Sequence, residues 1–532
     1  MTARTLSTRR LIPRIAATPP LAITLVAVIA SLVSLTLSTI RYPLPQVHDE
    51  FSYLLAADTF AHARLTNPTH PFWPHFEAFH VLQKPSYSSK YPPLQGLFLA
   101  LGQILSGRPI MGAWLSVSLG SAGVCWMLYG WTRPQPAFLG GILSALHHGI
   151  HGGIPGWGAC YSWSQSFWGG GPAMLGGALV IGALPRLARN PRRRDSLCLA
   201  IGLVILANSR PFEGLLASLP VMAAVGCLVL RSRTTARIVL PPLVAVLLPA
   251  ALAMATLNLA ITGSSRQLPY TLYESTYNPA PVFTTWQSPK PPLTYQHNVL
   301  KTFFNDLCMS QFSQQQEWSD WRSYHAERLS WLEAFFVGPL LIPLLGIPSY
   351  LRKPASLFAA AECAVIIVAH LFTVGIQPHY AAPVSCCFFL LVVEGMRRLA
   401  LLRVGSLRIG GFFVRLTWIL VILALARVAY ERATTPPGWE TARSQFVSFL
   451  QSNKGRHLVV VRYTPDHDTL HEWVANQADI NASSIIWARE MNLPTMLRLI
   501  NAFPDRRIWL LEADQIPPRL TPYSTQPVSR DD

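Results

Sequence analysis

Residues 20 to 40 read PLAITLVAVIASLVSLTLSTI and run directly into RYPLPQVHDEF, residues 41 to 51. The first part carries no charge and, at about 1.5 Å per helical residue, is long enough to cross a hydrocarbon core about 30 Å thick. Arg4, Arg9, Arg10 and Arg14 precede it and no A-x-A-like cleavage site stands before Arg41, so it reads as a retained signal anchor. The second part brings a histidine and two carboxylates to the membrane boundary, where such groups are costly unless they have partners or a task.

Working outward, further apolar runs occupy Ile238 to Thr262 and Phe412 to Tyr430. Hydrophobic residues make up 51% of the chain and charged ones 13%, against about a quarter charged in soluble domains. The net charge of +17 would fit a nucleic-acid binder, but the arginines are not spread over a surface. They stand in blocks between apolar segments, as at Arg192 to Arg194, Arg231 to Arg237, Arg352 with Lys353, and Arg397 to Arg408. That placement is the positive-inside pattern, so the charge reports topology and excludes nucleic acid as a partner. Of the eight cysteines, six fall in predicted spans and their spacing defines no disulfide framework.

Placing the basic blocks inside predicts about eleven spans, near 20–40, 109–131, 136–151, 171–187, 196–209, 213–230, 238–261, 333–350, 355–375, 381–396 and 411–430. The expected protein is therefore a mainly α, multi-pass plasma (inner) membrane protein. Residues 1–19 form a cytoplasmic basic amino terminus, 20–430 a transmembrane domain with outer loops 41–108 and 263–332, and 438–532 an extracytoplasmic domain. Leu94 to Ile104 is too short to span and is assigned to an interfacial helix of the first outer loop. After Pro436 and Pro437, β-like runs at 457–463, 484–488 and 507–512 with a helix at 494–503 predict a small α/β domain.

The pair Asp49-Glu50 supports two readings. In one, a carboxylate is general base for an acceptor hydroxyl or amine while the other positions the acceptor or a metal. In the other, the pair is the acidic start of an interfacial helix. The same loop continues to Lys84 and then to Lys90-Tyr91-Pro92-Pro93, a lysine entering a helix through a diproline.

With these residues in view, the chain resembles a GT-C superfamily membrane glycosyltransferase, in the branch of protein O-mannosyltransferases and lipid A aminoarabinose transferases. The Asp-Glu pair after the first span, the Lys-x-Pro-Pro-like element, and the alternation of arginine-capped spans with short outer turns carry the resemblance. The chain departs from a Lys-Pro-Pro form by inserting Tyr91. The resemblance implies a GT-C-like helical bundle and inverting transfer of a hexosyl or pentosyl unit. The donor would be a polyprenyl-phosphate sugar, and the acceptor a lipid, glycan or protein on the extracytoplasmic face. It implies Asp49 as base, Glu50 in support and Lys90 on the lipid phosphate. No cofactor is implied with certainty, and a divalent cation stays open.

A phosphate leaving group needs fixed cations. In the first half of the outer face, Lys84, Lys90 and Arg210 are the main ones, with His48 beside Asp49 as a further donor. Arg210, in Asn208-Ser209-Arg210-Pro211-Phe212-Glu213, reads equally as a phosphate ligand or as an ion pair with Glu213. The turn Gln377-Pro378-His379-Tyr380 resembles an Arg-Tyr turn of the superfamily with histidine in place of arginine. His379 is a candidate phosphate donor, while a proline-bounded turn with an interfacial Tyr380 is the plainer reading. Asp466 to Glu472 offers histidines four apart, but a solvated helix start is expected there rather than a metal site. His147, His148 and His151 are candidates for an acceptor cavity or for an interfacial cluster. The aromatic loop 263–332 reads as a lid. A transporter or flippase is the main alternative, disfavoured because ionisable residues gather at one surface and not in the spans.

Overall fold

The structure, a computed structural model, describes residues 8 to 150, 162 to 285, 287 to 375 and 377 to 523. Seven of its helical segments are long and apolar enough to cross a membrane: Pro19–Ile40, Ile110–Trp131, Gly170–Arg189, Pro211–Arg231, Arg233–Thr262, Pro378–Leu399 and Gly410–Thr434. Three more of the eleven expected spans are helices of at most 17 residues, Pro134–Ile150, Arg193–Ala207 and Pro354–His370. The eleventh, near 333–350, is not one helix. It breaks into Glu333–Val337, Gly338–Leu340, Leu341–Leu344 and Ile347–Ser349. Gly338 turns the chain at φ +32°, and Pro339, Pro343 and Pro348 remove successive N–H donors, so apolar composition alone cannot sustain a helix here.

The two ends of the bundle are chemically different. At one end Tyr129 donates to Ala16 O, and Arg186 and Arg189 donate to the carbonyls of Trp126 and Gly130. At the other, Arg41 pairs with Glu440 at 3.0 Å and Arg432 binds Leu37 O. The long loops and the carboxy-terminal sheet collect at this second end.

There the first loop forms the helix His48–Ala61, strands β1 (Asn67–Pro68), β2 (Val81–Leu82) and β3 (Ser86–Ser89) in the order β1-β3-β2, and the helix Pro93–Ser106. The last of these, 14 residues, reaches about 21 Å, short of a span. Strands β4 (Arg456–Arg462), β5 (Ile485–Arg489) and β6 (Arg506–Glu512) run parallel, with β7 (Arg519–Pro522) antiparallel at the edge, in the order β5-β4-β6-β7. Because strand side chains alternate, the two faces of this sheet have separate cores. Val459, Val461 and Trp487 pack with Leu450 and Trp473. Leu458, Val460 and Ile486 pack with Leu499 and with Leu55, Phe76 and Tyr87 of the first loop, so the sheet is built onto that loop.

One glycine decides how the bundle meets the site. A Cβ on Gly177 would lie 1.8 Å from Pro383 O, so only glycine lets the helix Gly170–Arg189 touch the turn that carries His379 and Tyr380.

Candidate functional site

Glu50 and Asp49 are adjacent in sequence and go separate ways. The Glu50 carboxylate accepts from the N–H groups of Gln46 at 2.6 Å, Val47 at 3.2 Å and Phe167 at 2.9 Å. It thereby caps the helix His48–Ala61 and docks it on the segment before Gly170. Burial pushes its carboxyl up to about 7, against the pull of these three backbone donors. Expected beside Asp49 as its support, Glu50 instead turns away and does not line the cavity.

Asp49, about 100° further round the helix, opens onto a cavity of about 1050 Å³ enclosed by the loops 41–108 and 263–332 and the bundle end. Its side chain retains 28% exposure. Tyr91 donates its hydroxyl to Oδ1, while Oδ2 lies 2.9 Å from His48 Nδ1 and 3.6 Å from His80 Nε2. Burial alone would raise the carboxyl, but His80, His48 and the hydrogen bonds of His48 and Tyr91 hold it well below the usual carboxylate range. His80 itself is pushed well below the usual histidine range by burial and by Lys90. Tyr91, the insertion that separates Lys90 from the diproline, also stacks on Tyr53 at 4.4 Å.

His80 stands in the left-handed region at φ 61°, unusual for a residue other than glycine. Its N–H donates to Tyr273 Oη at 2.7 Å, and its carbonyl accepts from Ser52 Oγ at 2.6 Å and Lys90 N at 3.1 Å. The ring meets His48 edge-on at 4.5 Å. His48, Asp49 and His80 bring one ligand atom each to within 4.8 Å of one another.

The cations divide by their partners. Lys90 lines the cavity, but its Nζ lies 2.7 Å from Glu274 Oε1 and within 4.6 Å of the centre of the Tyr273 ring. Lys84 is exposed, sits over Trp73 at 4.6 Å and does not reach the cavity, so it is not brought to the site. Arg210 lines the cavity, packs on Tyr380 at 4.5 Å and has no carboxylate within 4 Å among the described residues, so the ion pair with Glu213 is not formed. Burial works against its charge, and Tyr53, Glu213 and Tyr380 outweigh that. His379 and Tyr380 line the same wall, with His379 4.8 Å from the Trp168 ring.

Two other expectations are corrected. Asp466 to Glu472 is turn and extended chain, not a helix start, and His467 is buried with Nδ1 2.5 Å from Asp514 Oδ1. The acid partner arrives from beyond β6, which no local spacing reveals. His147 is buried between Phe335 and Phe389 and does not line the cavity, while the His148 side chain and His151 lie outside the described residues. Sequence reasoning missed His80, Glu274, the role of Tyr91, and Arg328, which lines the same cavity 3.9 Å from the centre of the Trp331 ring. Among these, Tyr91, inserted between Lys90 and the diproline, and Arg328, in an aromatic run with Tyr324 and Trp331, carried a visible signal.

No family model and no curated protein matches the chain. Among solved structures it is similar to ArnT from Cupriavidus metallidurans bound to undecaprenyl phosphate, at 11% identity and TM-score 0.47, covering 93% of each chain. It is similar to the apo Archaeoglobus fulgidus oligosaccharyltransferase at 12% identity and TM-score 0.44, covering 83% of this chain and 62% of that one. It is also similar to the arabinofuranosyltransferase AftD from Mycobacteria at 14% identity and TM-score 0.38, covering 83% of this chain and 29% of that one. The chain thus spans just under two thirds of the oligosaccharyltransferase it resembles.

Proposed function

We propose that the protein is a membrane glycosyltransferase that moves a sugar from a polyprenyl-phosphate donor to an acceptor, with inversion, at the extracytoplasmic end of the bundle. One observation carries this reading. The wall of a single cavity holds a partly exposed carboxylate, Asp49, and an arginine, Arg210, that has no acidic partner among the described residues. A base and a fixed cation in one cavity suit displacement of a phosphate from a sugar.

In that reaction the acceptor oxygen or nitrogen bonds to the anomeric carbon while the bond from that carbon to the phosphate oxygen breaks. The electron pair leaves with the polyprenyl phosphate, where Arg210 meets the developing charge in a partly desolvated site. Asp49 orients the acceptor and takes its proton as bond formation acidifies it. A single displacement inverts the anomeric centre. The side-chain cluster also fits a divalent ion: two imidazoles and a carboxylate are Zn²⁺-type ligands, and His48 Nε2 and His80 Nδ1 are buried without hydrogen-bond partners among the described residues. His48, Asp49 and His80 would hold it, and it would supply Lewis acidity beside the acceptor.

The test compares native and Asp49→Asn protein in detergent for transfer from a polyprenyl-phosphate sugar. Loss of transfer by about 10² or more, with undisturbed insertion, is expected of a proton acceptor. Full activity in Asp49→Asn would overturn the base, and absence of transfer by the native protein would overturn the reading in favour of a transporter.

A further inference from the structure

His80 is held against Asp49 in a left-handed backbone conformation, and such strain persists only where the surroundings over-determine it. Its own amide and carbonyl are held by Tyr273, Ser52 and Lys90. The segment leading into it is held from elsewhere, by the carboxy-terminal sheet.

Arg489, the last residue of β5, donates from Nε to Glu77 O at 2.6 Å and from Nη2 to Glu472 Oε2 at 2.6 Å. The same Glu472 oxygen accepts from Phe79 N–H at 3.5 Å, and its other oxygen accepts from Tyr463 Oη at 3.2 Å. The side chains of the pair are 2% and 1% exposed. Behind them, His75 Nδ1 lies 3.1 Å from Arg489 O, and Glu77 Oε1 accepts from Tyr277 Oη at 2.8 Å. A buried ion pair is poor as a source of stability, because desolvation offsets the attraction, so its presence here calls for a task beyond holding two surfaces together. Its geometry supplies one: the arginine has a fork, and one tine is spent on the backbone three residues before His80.

We propose that Arg489 is a positioning residue. With Glu472 it clamps the backbone at Glu77 and Phe79, so that the carboxy-terminal domain fixes the approach of His80 to Asp49. The domain built on β4 to β7 is then part of the site's framework. Its activity readout rests on the glycosyltransferase reading, whereas its exchange readout does not.

The experiment uses full-length Arg489→Lys, which keeps the charge beside Glu472 and loses the second donor to Glu77 O. Amide hydrogen exchange and steady-state transfer are measured on the same detergent preparation. Exchange in residues 77 to 82 should quicken by about tenfold or more while β4 and β6 keep their protection, as for a local opening. Turnover should fall by about tenfold with KM for the lipid-linked donor unchanged, because Arg210 and its wall are untouched. The charge-neutral double variant Arg489→Met with Glu472→Gln should behave the same way. Unchanged exchange in 77 to 82 would overturn the clamp. So would an equal rise through β4 and β6, which would make Arg489 a folding residue, and so would retained turnover with protection lost. If the native protein transfers no sugar, the glycosyltransferase reading falls and the exchange arm still decides the clamp.

Discussion

Lys90 Nζ and Glu274 Oε1 lie 2.7 Å apart, with side chains only 6% and 15% exposed, so the lysine closest to the diproline is already neutralised within the protein. Removing one partner of a buried pair leaves an uncompensated charge. Lys90→Met should therefore lose about 3 kcal/mol of stability, and Lys90→Met with Glu274→Gln should recover most of it. Denaturation of the detergent-solubilised proteins measures both. Equal stability of Lys90→Met and native protein would show that water already reaches the pair.

Arg210 has no such partner, and its effect should fall on ligand rather than fold. Arg210→Gln should weaken binding of undecaprenyl phosphate by about tenfold or more, the worth of a charge-assisted contact, with little change in Tm. Titration of the lipid against native and variant protein checks this. Unaltered affinity would place the phosphate elsewhere in the cavity.

Tyr91 gives Asp49 its only hydroxyl donor among the described residues. Tyr91→Phe keeps the stack on Tyr53 at 4.4 Å and removes that bond. A hydrogen bond to a charged group is worth about 1.5–3 kcal/mol, so transfer should fall by roughly ten- to hundredfold without loss of the folded protein. Native rates in Tyr91→Phe would mean that the helix start alone orients Asp49.

If His48, Asp49 and His80 hold an ion, native protein stripped with chelator should bind Zn²⁺, and His80→Gln should bind it at least about tenfold more weakly. Calorimetry reads this without reference to activity. Absence of Zn²⁺ binding by the native protein would leave the cluster as a hydrogen-bonding group alone.

His297 supplies a pH dependence of stability. Its Nε2 is 2.6 Å from Pro74 O and 3.8 Å from Glu77 Oε2. Burial lowers it to about 3, with Arg489 and His75 pushing the same way and the bond to Pro74 opposing. The folded pKa lies below the unfolded one, so the unfolded chain binds this proton first as pH falls. Nothing is lost above about pH 6.5, and about 2 kcal/mol is lost by pH 5. The acid decline in Tm should be shallower in His297→Gln, and an identical slope would count against this assignment.

Much of the architecture was legible because it rests on one-dimensional quantities. Span length and apolar content marked the long helices, and one of the two readings of Asp49-Glu50, an acidic helix start just past the first span, matches the helix His48–Ala61. The strands at 456–462, 485–489 and 506–512 appeared as β-like apolar runs. The span expected near 333–350 failed for a reason also present in the sequence: Gly338 and three prolines outweigh hydrophobic length. The failure at 466–472 is different, since His467 takes its partner, Asp514, from 47 residues away.

Local sequence was enough to show that the chain enters a membrane many times, that its long loops gather acids and aromatics, and that Asp49, Lys90 and Arg210 lie outside the long apolar runs. Local composition and spacing suffice for this, because the energy of a span or a helix start depends on neighbouring residues. Which groups work together follows from how distant segments pack. Contact between segments sent Glu50 to a structural task, paired Lys90 with Glu274, brought His80 to Asp49, and set Arg489 behind it from 412 residues downstream of Glu77. Burial and pairing fix the state of a charge, and both are properties of the packed chain.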